Sequence, residues 1–208
     1  MSFLSDDYKE PKSNRYMKPG KGETRFRILG SFEEGTAIMG NEIWVTVTEN
    51  GNSTRKPVRT PNGVPVEVDR LEYNEKTGQP DTVKFFWILP VWNYDENRIE
   101  IMEITQKSIR DGIKLLAQNK KWGDPIGYDI LVTQVDEKGK ISYVVSPEPK
   151  EPLTEAMHNA LKSEKINLKA MYASSEHPYG GDPFEVKKES AAPEAATDEI
   201  NIDDIPFD

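Results

Sequence analysis

Lys84-Phe85-Phe86-Trp87-Ile88-Leu89-Pro90-Val91-Trp92-Asn93-Tyr94 is apolar at almost every position, so as an extended strand it carries apolar side chains on both faces. One side must pack the core, and the other needs a cover or a partner. Alternation puts Phe86, Ile88 and Trp92 on one face and Phe85, Trp87 and Leu89 on the other, with one set expected to be core. Asp95-Glu96-Asn97 then turns the chain into a paired hairpin strand over residues 98–104. Upstream, residues 24–30 follow the breaker Gly20-Lys21-Gly22 and read as a first strand, with Phe26 and Ile28 inward and Arg25 and Arg27 outward. Residues 43–48 are β-branched and alternating, placing Ile43, Val45 and Val47 on the core face and Trp44 on the opposite side. A turn over 49–53 leads to Arg55-Lys56-Pro57-Val58-Arg59 and Pro61-Asn62-Gly63, read as a long mobile loop of the kind that often touches ligands.

Downstream, Thr105 is the expected N-cap of a helix whose Ile109, Ile113, Leu115 and Leu116 share one side and which stops between Asn119 and Trp122. Residues 128–135 and 140–145 form a second hairpin around Asp136-Glu137-Lys138-Gly139. A Pro-rich strap, Pro147 to Pro152, leads to a helical stretch over about 153–172, which either clasps the body or joins subunits. Three strand regions, a helix and two more strands is the order of an OB-fold, a five-stranded Greek-key barrel with one helix between strands 3 and 4. The expected fold is therefore mainly β: that barrel, an extra hairpin, a C-terminal helix and a disordered acidic tail. Several sandwich topologies share most of the order. The expected divisions are a flexible basic arm over 1–20, the barrel over 21–150, a helical extension over 151–173 and the acidic tail over 174–208.

Charge is split along the chain. Residues 189–208 hold seven acids and no Lys or Arg, so the whole chain's −9 less this −7 leaves only −2 on residues 1–188. Lys9 to Arg27 holds seven cations against Glu10 and Glu23, a local net of +5 that reads as an electrostatic footprint for a polyanion or as a solvated arm. The tail is too polar to bury its own apolar surface, yet it ends in Asp203-Asp204-Ile205-Pro206-Phe207-Asp208, a small apolar hook among acids. It is a polyanion on the same molecule as a basic groove, and is expected to compete for that groove when no other polyanion is present.

There is no Cys, which excludes disulfides and thiolate zinc sites, and His158 and His177 are too few for a usual structural metal site. No cofactor and no metal is expected. Neither a secretory signal nor a membrane-length apolar run is evident, so the expectation is a soluble, cytoplasmic protein without membrane contact. With no Cys nucleophile, no phosphate-cradling glycine loop and no metal-ligand cluster, the chain is not expected to be an enzyme.

The tip resembles the C-terminal tip of single-stranded DNA-binding proteins, where a run of Asp before Ile-Pro-Phe recruits replication and repair enzymes. The departure is Asp208, which takes the terminal carboxylate off Phe207. The resemblance widens in Arg25-Phe26-Arg27-Ile28-Leu29, Phe86-Trp87-Ile88-Leu89-Pro90-Val91-Trp92-Asn93-Tyr94, Glu103-Ile104-Thr105-Gln106, Trp122-Gly123-Asp124-Pro125 with Tyr128-Asp129-Ile130, and Val144-Val145-Ser146-Pro147. Together these look like phage-encoded single-stranded DNA-binding proteins, across about residues 20–155 plus the tip. The zinc element that one branch of that family builds from Cys and His is missing here. The resemblance implies an OB-fold that coats exposed DNA in phage replication, recombination and repair within the host cytoplasm, with Asp203, Asp204, Ile205, Pro206 and Phe207 recruiting partner proteins.

Holding a single strand without reading its sequence needs cations along the phosphates and flat rings under the bases. The candidate backbone contacts are Lys18, Lys21, Arg25, Arg27, Lys56 and Arg59, and the candidate stacking rings are Trp44, Phe86, Trp87, Trp92 and Tyr94. Core packing is the competing reading for each ring, and Trp44 escapes it best, since its strand already supplies three inward residues. Trp122 reads as a structural plug. An OB-type RNA-binding protein or protein adaptor fits the same pattern, and oligomeric state is open.

Overall fold

A computed structural model of the chain describes residues 14–73 and 78–185. The arm before Asn14 and the tip Asp203 to Phe207 lie outside the described residues.

Eight strands join in one mixed sheet: β1 Tyr16–Met17, β2 Glu23–Ile28, β3 Ile38–Glu49, β4 Asn52–Pro61, β5 Lys84–Asn93, β6 Arg98–Ile104, β7 Tyr128–Glu137 and β8 Lys140–Lys150. Their order is β1-β6-β5-β2-β7-β8, with β3 also paired to β5 and β4 to β3. The β3–β4 connection is Asn50-Gly51 and the β7–β8 connection is Lys138-Gly139, each with both φ values positive (51° and 79°, 54° and 82°). Such two-residue turns match the twist of antiparallel strands and explain why both hairpins close tightly.

The sheet is open, so the expected closed five-stranded barrel is not formed among the described residues. The helix α1, Lys107–Gln118, follows β6 and precedes β7, and it packs against β8, at one end of the strand order, and against β6. Gly112 faces Val145 of β8 so closely that a side chain there would collide with it. The main core lies under this helix, where Phe26, Leu89, Met102, Ile109, Ile113 and Ile130 are buried together.

Both faces of β5 are covered, where the sequence suggested that only one set would be core. Phe86, Ile88 and Ile101 pack on Leu168 and Met171 of the 3₁₀ turn Leu168–Met171, and Trp92 and Ile99 pack on Met157 of the helix α2, Glu155–Ser163. Thr154 caps α2, its hydroxyl accepting from the Met157 amide. The stretch after the strap is therefore a clasp on its own sheet. Residues 174–185 continue it, with Gly181 N–H donating to the Ala170 carbonyl and Asn167 N–H to the Pro183 carbonyl. At the other end, Tyr16 and Met17, expected in a flexible arm, pair in parallel with Ile101 and Met102. No helix among the described residues is long and apolar enough to cross a membrane.

Candidate nucleic-acid interface

Strand alternation and one register fix the centre of the site. Phe26 of β2 faces Asn93 of β5 and is buried, so Arg25 projects from the opposite face, and Tyr94 follows Asn93 on the adjoining strand. The Arg25 guanidinium lies 4.6 Å from the centroid of the Tyr94 ring. The turn beyond Tyr94 is held by Asn93, whose Oδ1 accepts from the Asp95 amide at 2.9 Å while its Nδ2 donates to Glu100 at 2.8 Å. A polar cleft of about 370 Å³ opens here, and Lys18, Lys21, Arg25 and Tyr94 all line it, with Glu23 and Asp95. Lys18 and Lys21 are exposed on the segment between β1 and β2.

Beneath the cleft sits Asp129 of β7, buried and opposite Arg27 in the register. Its Oδ2 accepts from Arg25 Nε at 2.8 Å and its Oδ1 from Arg27 Nη1 at 2.9 Å. Burial alone would raise its pKa, but hydrogen bonds from Tyr94, Arg27 and Arg25 outweigh it and hold the carboxyl below its usual value. Burial, together with the bond to Asp129, pushes the Tyr94 phenol up to about 12. Asp129 also raises the pKa of Arg25. At neutral pH the cleft therefore presents a fixed guanidinium on a neutral phenol ring, with two lysines beside it.

The other expected contacts are placed elsewhere. Arg27 is on the face predicted for it, yet it is 3% exposed, because Asp129, the Ile126 carbonyl and the Glu151 carbonyl enclose its guanidinium. Arg59 belongs to β4, where a mobile loop was expected, since ten residue pairs join β4 to β3. It is buried between Glu42 (3.1 Å) and Glu103 (2.9 Å). A phosphate cannot reach either guanidinium without displacing these carboxylates. Lys56 is half-buried, pairs with Glu49 at 3.0 Å and lies over the Tyr179 ring.

Among the rings, Phe86 and Trp92 are buried under the clasp and offer no stacking face. Trp87 is partly buried against the main core and packs on Phe32 with centroids 5.2 Å apart. Trp44 lies opposite Ile43 and Val45 as the alternation required, half-buried, with its indole N–H donating to Glu42 at 2.9 Å. Trp122 packs edge-on against Tyr128 at 5.6 Å and against the core. The structure thus brings together Lys18, Lys21, Arg25 and Tyr94, leaves Arg27, Lys56, Arg59, Phe86, Trp87 and Trp92 in ion pairs or packing, and places Trp44 apart from the cleft with its indole hydrogen-bonded to Glu42.

Three carboxylates that hold these side chains were missed by sequence reasoning. Glu42 joins Trp44 to Arg59, and Glu103 also accepts from Arg59; burial raises the Glu103 pKa above its usual value, with Arg59 and, more weakly, Lys18 opposing it. Asp129 carried one signal: it is the lone acid in the apolar run 128–132, where a charge requires a cation partner. Among the described residues no group of three or more His, Asp or Glu is placed to hold a metal ion. No protein-family model matches the chain, and no curated protein matches it significantly.

Proposed function

We propose that this chain is a non-catalytic protein that coats single-stranded DNA with little regard to sequence, acting in phage replication, recombination and repair in the host cytoplasm. The observation that carries the reading is the cleft that Lys18, Lys21 and Arg25 line together with the accessible ring of Tyr94, over which Arg25 lies. Cations supply the backbone attraction and the ring supplies a stacking face indifferent to base identity. The topology supports it as well. β2 lies between β5 and β7, β6 follows β5, and a helix separates β6 from the β7–β8 hairpin. We read this as an opened version of the OB-fold strand order, with α1, which contacts β6 and β8, at the place where third and fifth strands would close the barrel. Partner proteins of replication and recombination would be recruited through Asp203 to Phe207.

Fluorescence anisotropy with labelled oligothymidine tests this directly. Saturable binding that weakens with salt is expected, and Tyr94→Ala should weaken it by about 5- to 150-fold, the loss of one stacked base at about 1–3 kcal/mol. Preference for oligouridine over oligothymidine would favour an RNA-binding role, and absence of binding to either would overturn the reading.

A further inference from the structure

Among the described residues β8 pairs only with β7, which leaves a long edge of the sheet open. The edge at β4 differs: it carries Arg55, Lys56 and Arg59, and the Arg59 carbonyl already accepts from the Ala173 amide. Alternation fixes which groups of β8 point outward. Gln134 N–H donates to the Gly22 carbonyl on the β2 side, so Thr133 and Val135 turn their backbone groups to β8, where they meet Val144 and Ser142. Ile141, Tyr143 and Val145 therefore present N–H and C=O groups to the open edge. Pro147 has the same parity, so its missing N–H falls on that edge, where a strand tolerates proline. Gly112 of α1 meets Val145 through side-chain atoms, which puts the helix over a face of β8 and not along its edge. Residues 141–147 carry no charge, and Ile141 and Val144 are 55% and 52% exposed. Leu115, one helical turn beyond Gly112 on the β8 flank of α1, is 68% exposed. Folded chains usually block an uncharged edge of this kind with charges or a cover, or pair it with another strand.

We infer that β8 pairs antiparallel with β8 of a second copy about a two-fold axis at Val144, joining two sheets into one. Only a register centred on a residue keeps like faces together across such an axis. Charge chooses which residue. Centring on Val144 sets Lys140 opposite Glu148 at both ends, Ser142 opposite Ser146 and Val144 opposite itself. The outward groups then bond in register: Tyr143 and Val145 exchange two N–H···O bonds, and Ile141 N–H donates to the Pro147 carbonyl. The Pro147 nitrogen, which has nothing to donate, falls at the end of the paired segment. Arg25 lies opposite Leu131, and Leu131 opposite Ser146, so the even-numbered face of β8 is the face of the cationic cleft. Both clefts would thus open on one side of the joined sheet. The pairing itself does not depend on DNA binding.

The test uses the full chain free of nucleic acid, and because the sequence has no Cys, single cysteines report the register. Val144 would face its own copy in a non-hydrogen-bonded pair with Cα atoms about 4.5 Å apart, within disulfide reach. Ser142 would be offset from its own copy by four residues, about 13 Å, which is out of reach. Mild oxidation should therefore convert Val144→Cys to a covalent dimer and leave Ser142→Cys uncoupled. By sedimentation the wild type should be a concentration-dependent dimer. Lys140→Glu turns two exposed pairs repulsive and should raise its dissociation constant by about 5- to 30-fold, and adding Glu148→Lys should restore it. A wild type that sediments as a monomer at every concentration, equal cross-linking of the two cysteine variants, or a double variant as weak as Lys140→Glu would overturn the inference.

Discussion

Asp129→Asn removes one charge from beneath the cleft while keeping the side chain's shape, and the structure says where the effect goes. Arg27 is the buried partner, 3% exposed, and its bond to Asp129 is 2.9 Å long. Leaving a buried charge without its counter-ion costs about 3–5 kcal/mol. The lower end applies, because asparagine retains one acceptor and Arg27 keeps the Ile126 and Glu151 carbonyls. Arg25 is half-exposed, so its pairing with Asp129 adds at most about 1 kcal/mol. A loss of about 3 kcal/mol in a chain of this size lowers Tm by about 6–12 °C, measurable by scanning calorimetry at pH 7. The pH dependence has a definite sign. The folded-state pKa of Asp129 lies below its ordinary 3.8, so its stabilisation is present above that value and is lost as pH falls towards the folded one. The Tm gap between wild type and variant should therefore narrow below about pH 4. An unchanged Tm at pH 7, or a gap that widens in acid, would refute the idea that Asp129 is the counter-ion of a buried Arg27.

Two further substitutions probe the frame around the cleft. Gly40→Ala places a Cβ 1.9 Å from the Thr60 carbonyl oxygen, so the β3–β4 hairpin must shift; a loss of at least about 1–3 kcal/mol is expected in denaturant unfolding. Met157→Ala empties the contact that covers Trp92, which should cost about 2–5 kcal/mol and move Trp92 emission to the red.

Local features of the chain were legible wherever the answer depends on periodicity. The hairpin strands, the span of the α1 helix and the outward placement of Trp44 and Arg25 follow from alternation or helical spacing within a few residues, but Gln106 rather than Thr105 stands at the N-cap of α1 and Leu115, expected on its core side, is exposed. Arg27 and Arg59 show where that reasoning stops. Alternation assigns a side chain to a face, but whether the face is open depends on residues far along the chain: Asp129 and Glu151 for Arg27, Glu103 for Arg59. Phe86 and Trp92 were candidate stacking rings for the same reason, since the cover over them comes from Met157, Leu168 and Met171. The basic run 55–59 looked like a loop because Pro57 and its cations hide the strand pattern, yet Pro57 sits opposite Trp44 in a regular register. An open sheet with a helix at the gap also could not be told from a closed barrel by element order, because order leaves the pairing of the last strand undetermined.

The central claim is that Lys18, Lys21 and Arg25 form the phosphate-binding side of the cleft, and the salt dependence of oligothymidine affinity tests it most directly. Each lost phosphate contact on a single strand lowers the slope of log K against log salt by about 0.7. The triple variant Lys18→Ala, Lys21→Ala and Arg25→Ala should therefore bind with a slope shallower by about 2 and with reduced affinity at low salt. A slope and affinity equal to those of wild type would contradict the account.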